Sequence, residues 1–171
     1  MLVTDRVDRI PARLVFTTGL DPFQLLVGVT TGSKATHAAI GIGDDQLLHA
    51  YEPGVLLESR DEFLRGKKQT LVAEFAVLPD VTDGIYEALS HVGKRYDVAH
   101  VIKIGLLRLL RPFTLRLWPE REDRFTCARF AMLLDPYGEA IPEWRDVWRE
   151  AVVPADLLDR ALVGPSFVRL S

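Results

Sequence analysis

The chain holds a single cysteine, Cys127, and two methionines, and it has no apolar run of about 18 residues or more that would span a bilayer as a helix. One thiol forms no internal disulfide, so nothing in the fold depends on an oxidising compartment. Charge of one sign is missing as well. With 21 basic and 24 acidic residues the net charge is -3, which gives no electrostatic reason to expect nucleic acid as the main partner. The opening stretch Met1-Leu2-Val3-Thr4-Asp5-Arg6-Val7-Asp8-Arg9 is charged throughout and lacks the apolar core of a signal peptide, so a cytoplasmic location is expected. Repeats, low-complexity tracts and linkers are absent too. The 171 residues are therefore expected to form one domain, 1–171, long enough to bury a core without staples.

What is present is a sequence of short strands and helices. Arg13–Thr18 reads as a strand, and Asp21-Pro22 opens a helix, with Asp21 as cap and Pro22 in the first turn, running to Gly32. Thr36–Ile42 and Gln46–Tyr51 read as strands joined by the turn Gly43-Asp44-Asp45. After Pro53-Gly54 a short strand, Val55–Leu57, completes an antiparallel meander. Ser59 with Glu62 three residues on is a capping box for a short helix over Arg60–Leu64. Further on come a strand over Thr70–Leu78, a helix over Thr82–Val92 closed by Gly93, and an apolar helix over Tyr96–Leu110 stopped by Pro112. The helix after Cys127 is expected to end near Asp135-Pro136; Pro154 starts another, and Ser166–Leu170 is a closing strand. The class is α+β, an antiparallel sheet or small open barrel packed against helices.

Cys127 follows a short polar lead, Asp123-Arg124-Phe125-Thr126, and precedes the helical pattern Ala128-Arg129-Phe130-Ala131. A sulfur at a helix start faces oriented backbone N–H groups, which favour thiolate over thiol and are expected to lower its pKa below about 8.5. Free cysteine also serves as a small buried hydrophobe, and that reading competes. His37 and His49 fall on the two strands flanking the Gly43–Asp45 turn, and a hairpin there brings their rings close. A thiol at a helix start with imidazoles on strands is the kit of a cysteine nucleophile: His37 as general base, His49 orienting it. The same three residues are zinc-ligand types, but the chain shows no paired-ligand spacing and no evident fourth ligand, so no metal or cofactor is expected. His91 and His100 read as structural residues near solvent or on helix surfaces.

The ordered set His37-Ala38-Ala39-Ile40-Gly41-Ile42-Gly43, His49-Ala50, Gly54-Val55, Gly93-Lys94-Arg95-Tyr96-Asp97, Thr126-Cys127 and Pro154-Ala155-Asp156-Leu157 resembles the circularly permuted branch of the NlpC-like papain superfamily. That branch includes permuted papain-like amidases and, more distantly, the lecithin retinol acyltransferase group. The resemblance covers the chain from about Thr17 onward. It implies a papain-like domain with Cys127 as nucleophile, His37 as base and His49 as third polar residue. Many permuted amidases carry a glutamate at the third position, whereas the acyltransferase group carries a histidine, as here. Tyr96 would line the cleft and help polarise the oxyanion; Asp97 reads as the cap of the next helix. The sequence departs from the family after the nucleophile, where Cys-Ser and an acidic residue are common but Cys127-Ala128-Arg129 stands here. The backbone N–H of Cys127 would still serve as an oxyanion donor.

The segment from His100 to Pro119 is rich in leucine, and Lys103, Arg108, Arg111 and Arg116 make its charge wholly positive. It reads either as a core helix with snorkelling arginines and a following loop, or as a peripheral membrane contact or lid over an acyl chain. Three functions follow. The first is a cysteine amidase, peptidase or acyltransferase working through a thioacyl intermediate on a peptide, peptidoglycan fragment or lipid. The second is a papain-like binding module without turnover, and the third a membrane-surface adaptor.

Overall fold

The computed structural model describes residues 9–109, 124–147 and 152–171. One sheet carries the strands of these residues: β1 (Ala12–Thr18), β2 (His37–Ile42), β3 (Gln46–Tyr51), β4 (Gly54–Ser59), β5 (Thr70–Val77), β6 (Arg95–Tyr96), β7 (Arg124–Phe125) and β8 (Phe167–Arg169). Their order is β7-β6-β4-β3-β2-β1-β5-β8. The α+β class and the β2–β3–β4 meander expected from the sequence are both present. Every neighbouring pair is antiparallel except β6 with β7, which runs parallel at the edge. The helices are α1 (Pro22–Thr31), α2 (Arg60–Gly66), α3 (Thr82–Ser90), α4 (Val98–Leu109), α5 (Cys127–Ala131) and α6 (Pro154–Val163).

Local chemistry sets the boundaries. The Asp21 carboxylate accepts from the N–H groups of Phe23 and Gln24, and Gly32 ends α1 in the left-handed conformation at φ +65°. Ser59 accepts from the Glu62 N–H at the start of α2. Gly43 turns the β2–β3 hairpin with φ +57°.

Four elements differ from the sequence reading. β4 extends to Ser59 because its full length pairs with β3. α3 stops at Ser90, and Gly93, with φ +87°, serves the turn beyond it. Tyr96 does not begin a helix. It lies in β6, paired with Phe125 of β7, and Asp97 caps α4 by accepting from the His100 N–H. α5 gives way at Ala131 to a 3-10 turn, Met132–Leu134.

Pleating divides the buried side chains of β2 between two cores. Ala38 and Ile40 join the main one with Leu14, Phe16, Leu48 and Phe75, covered by Ile85, Phe130, Ala131 and Leu157 from the helices. Ala39 faces a smaller one with Val15, Leu47 and Phe63. Near the smaller core the buried Glu74 carboxylate takes Arg13 at 2.7 Å and Arg60 at 2.8 Å, which ties β1, β5 and α2 together. Lys103 lies on α4; Arg111 and Arg116, and the side chain of Arg108, lie outside the described residues, as does the expected stop at Pro112. Among the described residues no helix is long and apolar enough to cross a membrane.

α3 reaches the 3-10 turn after α5 through a backbone-to-backbone contact at Gly84. A Cβ there would stand 2.1 Å from the Leu134 carbonyl oxygen and 2.5 Å from its carbon. Glycine to alanine at an open helix site gains about 1 kcal/mol; at this one overpacking reverses the sign. Gly84→Ala is expected to lower stability by about 2 kcal/mol in urea unfolding, and a gain in stability would show that α3 does not rest on Leu134 in solution.

Candidate active site

Cys127 opens α5, and the Thr126 side chain caps that helix by accepting from the Arg129 N–H at 3.3 Å. α5 packs against β2 and β3. Ala128 is buried in the main core, where a small apolar side chain fits. The Arg129 guanidinium sits 5.9 Å from the Phe125 ring centre.

The edge strands bring a phenol to the thiol. Gly54 pairs with Arg95, and parallel pairing sets Tyr96 beside Phe125, two residues before Cys127. Only a glycine fits at 54, since a Cβ would lie 2.3 Å from the Lys94 carbonyl oxygen. Tyr96 and Cys127 interact directly. The Tyr96 hydroxyl favours the thiolate, and burial together with the sulfur pushes the Tyr96 pKa well above its ordinary value.

The expected lowering of the Cys127 pKa is not found. The residue is 4% exposed, and burial pushes its thiol up. The N–H groups of Ala38, Ala128 and Cys127 itself and the Tyr96 hydroxyl act in the opposite direction without overcoming it. Five helical residues supply too few aligned peptides to outweigh the loss of water. Near pH 7 the Cys127 side chain is therefore a protonated thiol.

The hairpin brings His37 and His49 together, their ring centres 5.3 Å apart and nearly perpendicular at 82°. Both lie on the smaller-core face of the sheet, against Phe63 and Tyr51. Burial, then His49 and Lys67, hold the His37 pKa well below 6.5, so this imidazole is neutral near pH 7. His49 is lowered by burial as well, although its Nε2 stands 2.7 Å from the Glu58 carboxylate. Removal from water outweighs that partner, and the contact is a neutral imidazole N–H donating to a carboxylate. Glu58 is held below the usual carboxylate range, first by this bond.

α5 packs on the opposite face of β2, and its sulfur meets the strand at the Ala38 N–H, one residue beyond His37. Among the described residues no hydrogen bond joins thiol and imidazole, and His37 Nε2 is buried without a partner. Two small cavities open on either side. One, of about 100 Å³, is lined by Asp21, Gln24, Thr36, His37, Tyr51 and Tyr96. The other holds Cys127 among Val27, Thr30, Val101, Ile104 and Val153. Tyr96 and Val27 line both, so a molecule spanning them would touch His37 and Cys127 together.

Sequence reasoning missed Glu58, Tyr51 and Asp21. Tyr51 donates to Asp21 at 2.8 Å and accepts from Gln24, and burial with the Asp21 bond pushes its pKa up to about 12. The signal for Glu58 was its register: it pairs with Leu47, on the same pleat face as His49. Of the two remaining histidines, His91 is half-buried, bonded to Glu87 at 3.0 Å and tilted over Phe125. His100 belongs to a helix as expected but is buried rather than near solvent. Among the described residues no three His, Cys, Asp or Glu side chains gather to hold a metal ion. No family model matches this chain, and no curated protein matches it.

Neutral buried histidines make stability depend on pH. A histidine whose folded pKa lies below its unfolded value of about 6.5 binds fewer protons folded than unfolded, so stability is full above that pH and falls as acid drives the unfolded ring to protonate. His37, His49 and His91 all act this way, whereas Glu58 adds its loss only nearer pH 4. The urea midpoint is expected to drop between pH 7.5 and 5.5, and less so in His37→Phe. Equal slopes in the two proteins would mean that His37 titrates normally when folded.

Proposed function

We propose that this protein is a cysteine-dependent amidase, peptidase or acyltransferase. The observation that carries this reading is the single thiol held at the Ala38 N–H, one residue along β2 from His37, with the Tyr96 hydroxyl favouring its thiolate and two cavities, one lined by His37 and one by Cys127, that share Tyr96. Support also comes from the resemblance to the permuted NlpC-like branch, whose nucleophile, base and third polar position fall on Cys127, His37 and His49.

Chemistry begins from two neutral groups. As a carbonyl substrate enters, the thiol gives its proton to His37 and sulfur bonds the carbonyl carbon. The carbonyl π pair moves onto oxygen, and the Cys127 N–H and the Tyr96 hydroxyl stabilise that oxyanion. Collapse expels the amine or alcohol, which takes its proton from His37 and leaves the acyl group on sulfur. Water or an acceptor amine then attacks the thioester, gives a proton to His37, and returns the thiol. Val27, Val101, Ile104 and Val153 around the sulfur favour an apolar acyl portion.

A papain-like binding module without turnover is the second reading. The near-complete burial of Cys127 and the missing thiol–imidazole bond favour it.

An acylating probe separates the two better than passive alkylation, because the resting thiol is protonated. Incubation with a p-nitrophenyl acyl ester is expected to add one acyl group by intact mass. The adduct should be absent in Cys127→Ala and form about 100-fold more slowly in His37→Ala. An adduct that persists in Cys127→Ala, or no adduct at all, would overturn the enzyme reading. Iodoacetamide labelling should follow a profile displaced above that of an ordinary thiol, since every label reports on the one cysteine.

A further inference from the structure

Two buried imidazole nitrogens have no hydrogen-bond partner, His37 Nε2 and His49 Nδ1, and they belong to adjacent rings. Buried polar atoms are normally satisfied, so two orphans on neighbouring rings call for an explanation. His49 Nε2 lies 2.7 Å from Glu58 Oε1. A carboxylate only accepts, so this nitrogen carries the proton and His49 Nδ1 holds a lone pair. The two rings meet edge to face with their centres 5.3 Å apart, and in this structure no hydrogen bond joins the two nitrogens.

We propose that Glu58 is a positioning residue that fixes the tautomers of both histidines in a Glu58–His49–His37 relay. The inference rests on the cysteine-hydrolase reading above. Glu58 holds the proton of His49 on Nε2, and a small rotation of the rings, which stand apart here, would let the vacant Nδ1 accept from His37 Nε2–H. His37 Nδ1 is then left as the lone pair that receives the thiol proton. When it does, His37 becomes an imidazolium with N–H on both nitrogens, no second proton moves, and the Glu58 charge stabilises the new cation through His49. The adjacent tautomer of His37 would have its proton on Nδ1 and no basic nitrogen there. Lys67, 3.8 Å from Glu58 and 4.8 Å over the Tyr51 ring, opposes the cation, so without Glu58 the local charge would favour a neutral His37. Tyr51 and Phe63 complete the walls around the two rings.

Long-range proton–nitrogen NMR on the four histidines of the intact chain reads the tautomers without any need for turnover. In the native protein near pH 7.5 His49 and His37 are both expected as Nε2–H tautomers. Glu58→Ala should shift both rings toward mixed tautomers and slow ester acylation of Cys127 about tenfold, with the half-saturating ester concentration unchanged. Glu58→Gln guards against misfolding. Its amide oxygen still accepts, so it is expected to keep the His49 tautomer, while acylation slows because the charge is gone. A native His49 protonated on Nδ1, or Glu58 variants with unchanged tautomers and rates, would overturn the relay. If His37→Ala leaves acylation untouched, the hydrolase reading falls instead, and the tautomer spectra alone then decide whether Glu58 orders the two rings.

Discussion

Strand β2 has no wet side. From His37 to Gly41 every residue is buried, so each backbone amide must be paired along the strand and each polar side chain must find its partner inside the protein. Alternation then decides the site. Even-numbered positions give Ala38 and Ile40 to the main core, and odd ones hand His37 and Ala39 to the smaller one. A slip of one residue would reverse both assignments, and the pairing of His37 with Thr17 through Ala12 with Ile42 fixes the register. The helix that carries the sulfur approaches this strand on the main-core face, where Ala38 offers a small side chain and its N–H meets the thiol.

Local rules made much of the fold legible. Asp21-Pro22 and Gly32 bracket α1, Ser59 starts α2, and the Gly43–Asp45 turn joins two strands of correct length. What failed was non-local. Tyr96 looks like the first residue of an apolar helix, but two-residue strands are chosen by the edge they meet, and here the edges are Gly54 and Phe125. The pairing of the two histidines was readable because a tight hairpin leaves little choice of register. Glu58 was not, since its partner is selected by a strand whose full length exceeds its apolar stretch. The thiol shows the same division. Its place at a helix start is a local fact, whereas its protonation follows from burial by α1, α4 and α5, which no window of sequence contains.

Tyr96 occupies an unusual position between the two halves of the site. It lines both cavities, reaches the sulfur, and is carried by a two-residue strand held to β4 by a single residue pair. The polar groups are therefore held unequally: two imidazoles embedded in the meander, and one phenol on a two-residue strand next to the edge of the sheet. Tyr51, tied to Asp21 and Gln24, joins the rigid group by anchoring β3 to the start of α1.

A thiol kept protonated is also a thiol kept reduced. Peroxides and disulfides react with the thiolate, and the first steps of cysteine oxidation follow thiolate character and exposure. As a residue only 4% exposed, with its pKa pushed up by burial, Cys127 offers such reagents little of either. The burial that keeps this thiol protonated thus acts as a shield for a chain with no second cysteine to resolve an oxidised one.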